Sequence, residues 1–193
     1  RHGLKPRLFE CARPGGLLWN ANLVENYPGF PDGLAGAALV RAFLAQVTNG
    51  GVEITSEEVL AITREEDLSR GETLLGPYRA RAVVLASGTS PRPMPVSPVP
   101  EELREQVVFE VAGLLNLSGK QVIIVGAGEA AFDYAINLGK LNSVIILNRG
   151  EKVKCLPLLW ERAQACHNID YRTGTAIHRL ERRPEDGMIV GCS

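Results

Sequence analysis

The chain has 193 residues, a length that predicts one large domain or two small ones. Its 21 basic and 22 acidic residues give a net charge of −1, which removes the usual electrostatic argument for a nucleic-acid-binding protein. The hydrophobic share of 45% and the charged share of 22% are typical of globular proteins. No apolar run approaches the roughly 18 residues of a transmembrane helix.

The two ends of the sequence do not have the pattern of chain termini. Residues 1–4 have the pattern of a helix end, and residues 188–191 begin a strand that stops almost at once. The sequence has no initiator methionine and no targeting segment. We therefore expect further structure on both sides of it; a genuine terminus trimmed by processing is the alternative.

The first half predicts a mixed α/β region. Residues 7–10 predict a short strand that ends on Glu10, and turn-rich loops follow at 15–18 and 27–33. An apolar stripe at helical spacing predicts a helix over 36–49, which the next two glycines end. Short strands are predicted over 52–86, with turns at 69–71 and 76–77, and the last of them, 81–86, has the composition of a buried strand.

Five prolines between residues 91 and 100 predict a semi-rigid linker and a domain boundary, so that the domains cover 1–92 and 93–193. Buried strands are then predicted at 121–125 and 143–147. Helices are predicted at 129–138 and from Pro157 to about Cys166. Further strands are predicted at 169–173, 176–182 and 188–190, with a turn at 184–187.

The strongest chemical signal is a glycine-rich turn between the strand 121–125 and the helix 129–138. Gly126 permits the tight turn, Gly128 lets a pyrophosphate approach the backbone, and Ala131 allows the helix to pack closely on the strand. With Glu129 in the first turn, these residues are candidate cofactor-binding residues at a helix N-terminus. The order of strand, turn, helix and strand favours a dinucleotide site over a glycine-rich turn without a ligand.

The end of the next strand bears on which nucleotide binds. An NAD site usually has an acidic residue there, whereas this chain has Asn148-Arg149-Gly150, followed by Lys152 and Lys154. The strand 143–147 is expected to bring Asn148 and Arg149 to the adenosine ribose. Arg149 and Lys154 are therefore candidate ligands of a 2′-phosphate, which favours NADP over NAD. The alternative is a solvated charged loop.

These residues resemble the thioredoxin-reductase-like branch of the FAD-dependent pyridine nucleotide oxidoreductases, over nearly the whole chain. Residues 15–18, 24–30 (V-E-N-Y-P-G-F) and 83–92 (V-V-L-A-S-G-T-S-P-R) are similar to its flavin-side motifs. Residues 119–131 are similar to its nicotinamide-nucleotide motif, and residues 148–154 to its basic segment.

The resemblance implies two Rossmann-like, doubly wound, three-layer domains: an incomplete FAD-type domain over 1–92 and an NAD(P)-type domain over 93–193. It implies that Glu10 contacts the adenosine ribose of FAD. Gly15, Gly16 and Asn26 would lie along the flavin, and Ser87 and Gly88 near the FAD phosphates. Trp19 would either cover the flavin or be an ordinary core or surface residue.

Three departures from the family pattern matter. The four cysteines, at positions 11, 155, 166 and 192, contain no C-x-x-C and no metal-ligand spacing, and four reduced cysteines in a cytoplasmic protein are expected. Because a thiolate is the nucleophile of thiol–disulphide exchange, the chain is not expected to reduce disulphides in the family's manner. Leu17 replaces a glutamine that contacts the flavin, and Gly150 replaces an arginine of the basic segment.

The resulting hypothesis is an enzyme that binds FAD and NADP (or NAD) and passes hydride from the nicotinamide to the flavin. The electrons would go on to a non-disulphide acceptor: a ferredoxin-like protein, a quinone or a small molecule. Two alternatives stay open: a thioredoxin-type disulphide reductase whose thiols lie outside these residues, and a non-catalytic nucleotide-binding or electron-transfer subunit. No catalytic residue is assigned, and a homodimer is neither required nor excluded.

Overall fold

The computed structural model describes residues 3–92, 94, 98–182 and 189–192. The chain forms two compact units. The first contains the residues up to Trp19 and Gly36–Thr89, and the second contains Asn20–Ala35 and the residues from Ser90 onward. The division at 89–90 lies close to the expected boundary, whereas residues 20–35 group with the second unit.

The first unit begins with a β–α–β arrangement. Strand β1 (Arg7–Phe9) pairs in parallel with β2 (Glu53–Thr55), and helix α1 (Gly36–Asn49) lies between them in sequence. A short 3₁₀ helix covers Gly16–Asn20. The buried side chains of Leu39 and Val40 form the packed face of α1, as its apolar stripe predicts.

A three-stranded antiparallel sheet follows, made of β3 (Ala61–Glu65), β4 (Leu68–Thr73) and β5 (Gly76–Ala80). The predicted turns at 69–71 and 76–77 are wrong, because 69–71 lies inside β4 and 76–77 begins β5. The turn between β4 and β5 falls at residues 74–75 instead. The Thr73 hydroxyl accepts from the Leu75 amide at 3.3 Å, which stabilises that turn, and it donates to the Glu57 carboxylate at 2.6 Å.

The predicted buried strand at 81–86 is also wrong. The segment has no regular structure, and Val84 and Leu85 are 89% and 75% exposed. An apolar β-branched run becomes a strand only when a neighbouring strand accepts its hydrogen bonds, and no described strand pairs with these residues.

The second unit contains a parallel sheet with the order β6-β7-β8. Its strands are β6 (Gln121–Val125), β7 (Ser143–Leu147) and β8 (Ile169–Arg172), connected by helices α2 (Glu129–Leu138) and α3 (Pro157–Gln164). Short 3₁₀ helices at Glu101–Gln106 and Ala112–Leu114 precede the sheet. This confirms the predicted order and positions of these strands and helices.

The core of this unit lies between the sheet and its helices. Phe132, Ala135, Val144 and Ile146 are all fully buried there, because the inward faces of α2 and β7 carry only apolar side chains. Chain reversal after α2 is tight: a Cβ added to Gly139 would lie 2.8 Å from the Ala135 carbonyl oxygen.

The last described elements are β9 (Arg179–Arg182) and β10 (Ile189–Cys192), an antiparallel pair. Strand β9 begins at Arg179, three residues later than predicted. The turn expected at 184–187 and part of the helix end expected at 1–4 lie outside the described residues, as do four positions of the proline-rich segment. None of the described helices combines the length and apolarity that a bilayer-spanning segment needs.

Candidate functional site

The glycine-rich turn lies where the parallel strands β6 and β7 end. The Gly126 amide donates to the Leu147 carbonyl at 2.9 Å, so the turn begins directly at the carboxyl edge of the sheet. Gly126 has φ +118°, a conformation that residues with a side chain rarely adopt. The sequence prediction of a glycine required by the turn is consistent with this backbone.

Helix α2 begins with free space before it. Its N-cap is Gly128, with φ −86° and ψ 177°, and no side chain caps the helix start. A Cβ added to Gly126 or Gly128 would meet no atom within 4 Å. The turn therefore has room for a pyrophosphate, and the first amides of α2 can donate to it. Glu129 is exposed and Ala131 half-buried, next to this space.

The loop after β7, residues 148–154, is attached to both β8 and the glycine-rich turn. The Asn148 amide donates to the Arg172 carbonyl at 2.8 Å, and the Thr175 amide donates to the Asn148 carbonyl at 3.0 Å. At the other end of the loop, Lys154 forms an isolated parallel bridge with Gly128. The basic loop and the glycine-rich turn thus lie next to each other in one unit.

The charged side chains of this loop face solvent. Arg149, Lys152 and Lys154 are exposed, and Glu151 is the single acidic residue among them. Arg149 and Lys154 form no ion pair with a described residue. Their charges are therefore not neutralised within the described part of the chain, as an anion-binding loop requires.

Sequence reasoning missed the role of the Asn148 side chain. Its amide group donates to the Lys152 carbonyl at 3.1 Å and to the Tyr171 hydroxyl at 2.8 Å, and its oxygen accepts from the Gly150 amide at 3.0 Å. Asn148 was expected at the ribose, but its polar atoms bind the loop itself. The Asn-x-Gly spacing, typical of an Asx turn, was the available signal.

In the first unit, Glu10 directly follows β1. Its amide donates to the Thr55 carbonyl at 3.1 Å, and one carboxylate oxygen accepts from the Ala12 amide at 2.9 Å. Ser87 and Gly88 are exposed, and Gly88 has φ +68°. These positions are compatible with cofactor contacts, which remain predictions.

Gly15 and Gly16 form a tight turn with φ +105° and φ +47°. A Cβ on Gly15 would lie 2.5 Å from Val40 Cγ1 and 2.8 Å from Trp19 Nε1, so packing within the unit requires this glycine. A Cβ on Gly16 would meet no atom within 4 Å. Gly16 is thus the one of the two with space for a ligand beside it.

The Trp19 side chain contacts residues that lie close to it in sequence. The indole N–H donates to the Pro14 carbonyl at 2.8 Å, and the Arg13 guanidinium lies over the ring, 3.4 Å from its centroid. One ring face is therefore covered by a cation–π contact, which leaves only the other face for any flavin contact.

Residues 20–35 are held by the second unit. Buried Asn20 accepts from the Val111 and Ala112 amides at 3.0 and 2.9 Å, and Glu25 forms a two-pronged ion pair with Arg162 at 2.6 and 2.8 Å. The Arg162 hydrogen bonds lower the pKa of the Glu25 carboxyl. Asn26 is exposed in this segment.

Cys155 lies immediately after Lys154 and is half-buried. Burial raises the pKa of its thiol, and the negative charge of Glu129 raises it further. Since the thiolate is the reactive form, Cys155 is poorly suited to act as a redox nucleophile.

Comparison with known proteins places these features in a family. The pyridine nucleotide-disulphide oxidoreductase model matches residues 42–172. A thioredoxin reductase of Mycolicibacterium smegmatis is 30% identical over 188 residues, covering 96% of this chain and 60% of that protein. A bifunctional thioredoxin reductase/thioredoxin of Mycobacterium leprae is 30% identical over 181 residues, covering 92% of this chain and 39% of that protein.

The fold is also that of a thioredoxin reductase. The crystal structure of the Lactococcus lactis enzyme matches 97% of this chain and 66% of that chain, with a TM-score of 0.84 at 21% identity. The expected α/β architecture with Rossmann-like nucleotide-binding domains is thereby confirmed. The chain spans about 60% of the length of its Mycolicibacterium relative. From the match over most of its length, the chain belongs to the pyridine nucleotide-disulphide oxidoreductase family.

Proposed function

We propose that this protein is an FAD-dependent oxidoreductase that takes hydride from NADPH and delivers the electrons to a disulphide, as a thioredoxin-type reductase. The observation that carries the proposal is the open, uncapped start of α2 beside the basic loop 148–154. The family match supports the redox class, and the thioredoxin reductases among the relatives support a disulphide acceptor.

In the second unit, this chain's residues would bind and orient the nicotinamide nucleotide. Gly126 and Gly128 leave room for the pyrophosphate, and the first amides of α2 donate to it. Arg149 and Lys154 would bind the 2′-phosphate, the former with a forked contact and the latter as a point charge. The adenosine end of NADPH is thereby fixed, which positions the nicotinamide.

In the first unit, Glu10 would bind the adenosine ribose of FAD through the carboxylate oxygen that does not accept from Ala12. Gly16, Ser87 and Gly88 would approach the cofactor with their backbones, while Gly15 shapes the turn. Asn26 would contact the flavin. When bound, FAD would supply the redox chemistry as the acceptor of the hydride.

A second candidate is the non-disulphide acceptor expected from the sequence, a quinone, a small molecule or a ferredoxin-like protein. The distribution of the cysteines favours it, since no two of the four have dithiol spacing. The relatives favour the disulphide acceptor more strongly, and that proposal requires a dithiol beyond these four cysteines. A small redox protein of the thioredoxin type is the partner we propose, with a cytoplasmic location and a homodimer as further predictions.

A spectroscopic experiment tests the proposal. The purified full-length protein is expected to show a flavin spectrum that NADPH bleaches anaerobically, and the bleached flavin is then offered thioredoxin or a quinone. Reoxidation by thioredoxin supports the disulphide reductase, and reoxidation by the quinone alone supports the second candidate. Absence of flavin, or of bleaching by either NADPH or NADH, would refute both.

A double substitution tests whether the thiols of Cys155 and Cys166 take part in electron transfer. Cys155→Ser with Cys166→Ser is expected to leave bleaching by NADPH and turnover with a quinone unchanged, because neither thiol is placed in the electron path. Loss of quinone turnover in this variant, with flavin still bound, would show that one of these thiols takes part.

A further inference from the structure

We infer that Asn148 and Tyr171 form a positioning pair that makes the basic loop selective for NADPH over NADH. The inference rests on the proposed function, because it concerns the same nucleotide site. It assigns to Asn148 a role in holding the loop rather than in contacting the ribose.

The first step is the saturation of the Asn148 side chain. Both hydrogens of its amide group are donated, to the Lys152 carbonyl and the Tyr171 hydroxyl, and its oxygen accepts from the Gly150 amide. These bonds span residues 148–152, so one side chain closes the loop that carries Arg149. Further support comes from the Gly174 amide, which donates to the Gly150 carbonyl at 3.2 Å.

The second step is the chemical requirement for asparagine. A carboxylate at position 148 has no hydrogen to donate, so an oxygen would face the Lys152 carbonyl at about the distance of the present bond, 3.1 Å. An acidic residue here, the usual choice for NAD, would therefore both open the loop and repel a 2′-phosphate. Asparagine achieves closure without negative charge.

The third step is the rigid attachment of Tyr171. Its ring packs edge-on against Trp160, with centroids 5.0 Å apart, and lies 5.7 Å from the ring of fully buried Phe132. Aromatic packing of this kind fixes the ring, so the hydroxyl offers Asn148 an immobile acceptor. Through Tyr171, the loop is thus attached to the aromatic core of the unit.

The consequence is a loop whose shape is set before the nucleotide binds. A preformed loop does not lose conformational entropy when the nucleotide binds, and this increases the affinity only for a nucleotide that contacts the loop. NADP carries the 2′-phosphate that the exposed Arg149 and Lys154 can bind, whereas NAD presents only a hydroxyl. Loosening the pair should therefore weaken NADP binding and leave NAD binding nearly unchanged.

The test measures dissociation constants of NADP⁺ and NAD⁺ by calorimetry for the parent, Tyr171→Phe, Asn148→Ala and the double variant. Tyr171→Phe keeps the ring and removes the acceptor, so the NADP⁺/NAD⁺ preference is expected to fall about threefold to tenfold. Asn148→Ala should lower it by tenfold or more. The double variant should resemble Asn148→Ala, because the two residues share one bond.

A matched control removes a hydroxyl from the same packed layer. Tyr134, on α2, also packs against this core, and Tyr134→Phe should leave the preference within twofold of the parent. If Asn148→Ala does not fold, Tyr171→Phe alone decides. A preference unchanged by Tyr171→Phe, or equal weakening of both nucleotides, would overturn the inference. Failure of the parent to bind either nucleotide would instead refute the proposed function.

Discussion

Gly128→Ala separates the stability of the nucleotide-binding unit from its ability to bind. Gly128 has φ −86° and ψ 177°, which any residue adopts, and a Cβ there would meet no atom within 4 Å. The added methyl group therefore causes no clash and no backbone strain in the free protein. It does occupy the space through which a phosphate would reach the first amides of α2.

The two expected magnitudes differ clearly. An unstrained Gly→Ala change stabilises by about 0.4–1 kcal/mol through the unfolded chain, while alanine is a poorer N-cap than glycine by a similar amount. The free energy of unfolding should therefore stay within about 1 kcal/mol of the parent. A lost hydrogen bond to a charged group costs about 1.5–3 kcal/mol, so NADPH should bind about tenfold to hundredfold more weakly.

The assay pairs urea denaturation with titration of NADP⁺. Gly113→Ala is the matched control, because Gly113 lies in the 3₁₀ helix Ala112–Leu114 of the same unit and a Cβ there also meets no atom within 4 Å. This control should bind like the parent. If Gly128→Ala binds NADP⁺ as tightly as the control does, the pyrophosphate does not approach this turn and the site is wrongly placed.

Three further predictions concern selectivity, pH and packing. Arg149→Ala should reduce the preference for NADPH over NADH in flavin reduction about tenfold. This is the lower end of the effect of losing a hydrogen bond to a charged group, because the loop is exposed to solvent. Equal rates with both nucleotides in the parent would contradict this. Burial raises the pKa of Asp133 above its ordinary 3.8, although the Asn22 amide and Lys140 oppose the shift. At pH values between the unfolded and the native pKa of Asp133, the native state therefore binds more protons than the unfolded state, and the stability of the parent falls as the pH rises through this range. Asp133→Asn, whose carbonyl can still accept from the Asn22 amide, should gain stability relative to the parent over the same pH range in thermal denaturation, and a constant difference would count against it. Gly15→Ala places a Cβ 2.5 Å from a buried valine and should lower the free energy of unfolding in urea by about 2–5 kcal/mol. Gly16→Ala causes backbone strain without a clash and should lower it by about 1–2 kcal/mol. Similar losses in the two variants would show that backbone strain acts without the clash.

Local patterns in the sequence were enough to predict the nucleotide-binding unit. Strands β6 and β7 are continuous apolar runs, and the helices after them carry their own apolar stripes and start or stop signals. Gly126 and Gly128 were predictable as well, since the strand-to-helix turn constrains the backbone locally. The basic residues after β7 are read directly from the sequence, and anion binding by them stays a prediction.

Only the tertiary structure decided the contacts between residues far apart in the chain. The Asn148–Tyr171 bond joins positions 23 residues apart, and Asn20 accepts from amides more than 90 residues away. Residues 81–86 have the composition of a strand, yet no described strand pairs with them, because hydrogen bonding in a sheet depends on a neighbour that local sequence does not specify. Likewise, only the structure shows that a valine and a tryptophan pack against Gly15, so that the fold itself requires a glycine there; its place along the flavin stays a prediction.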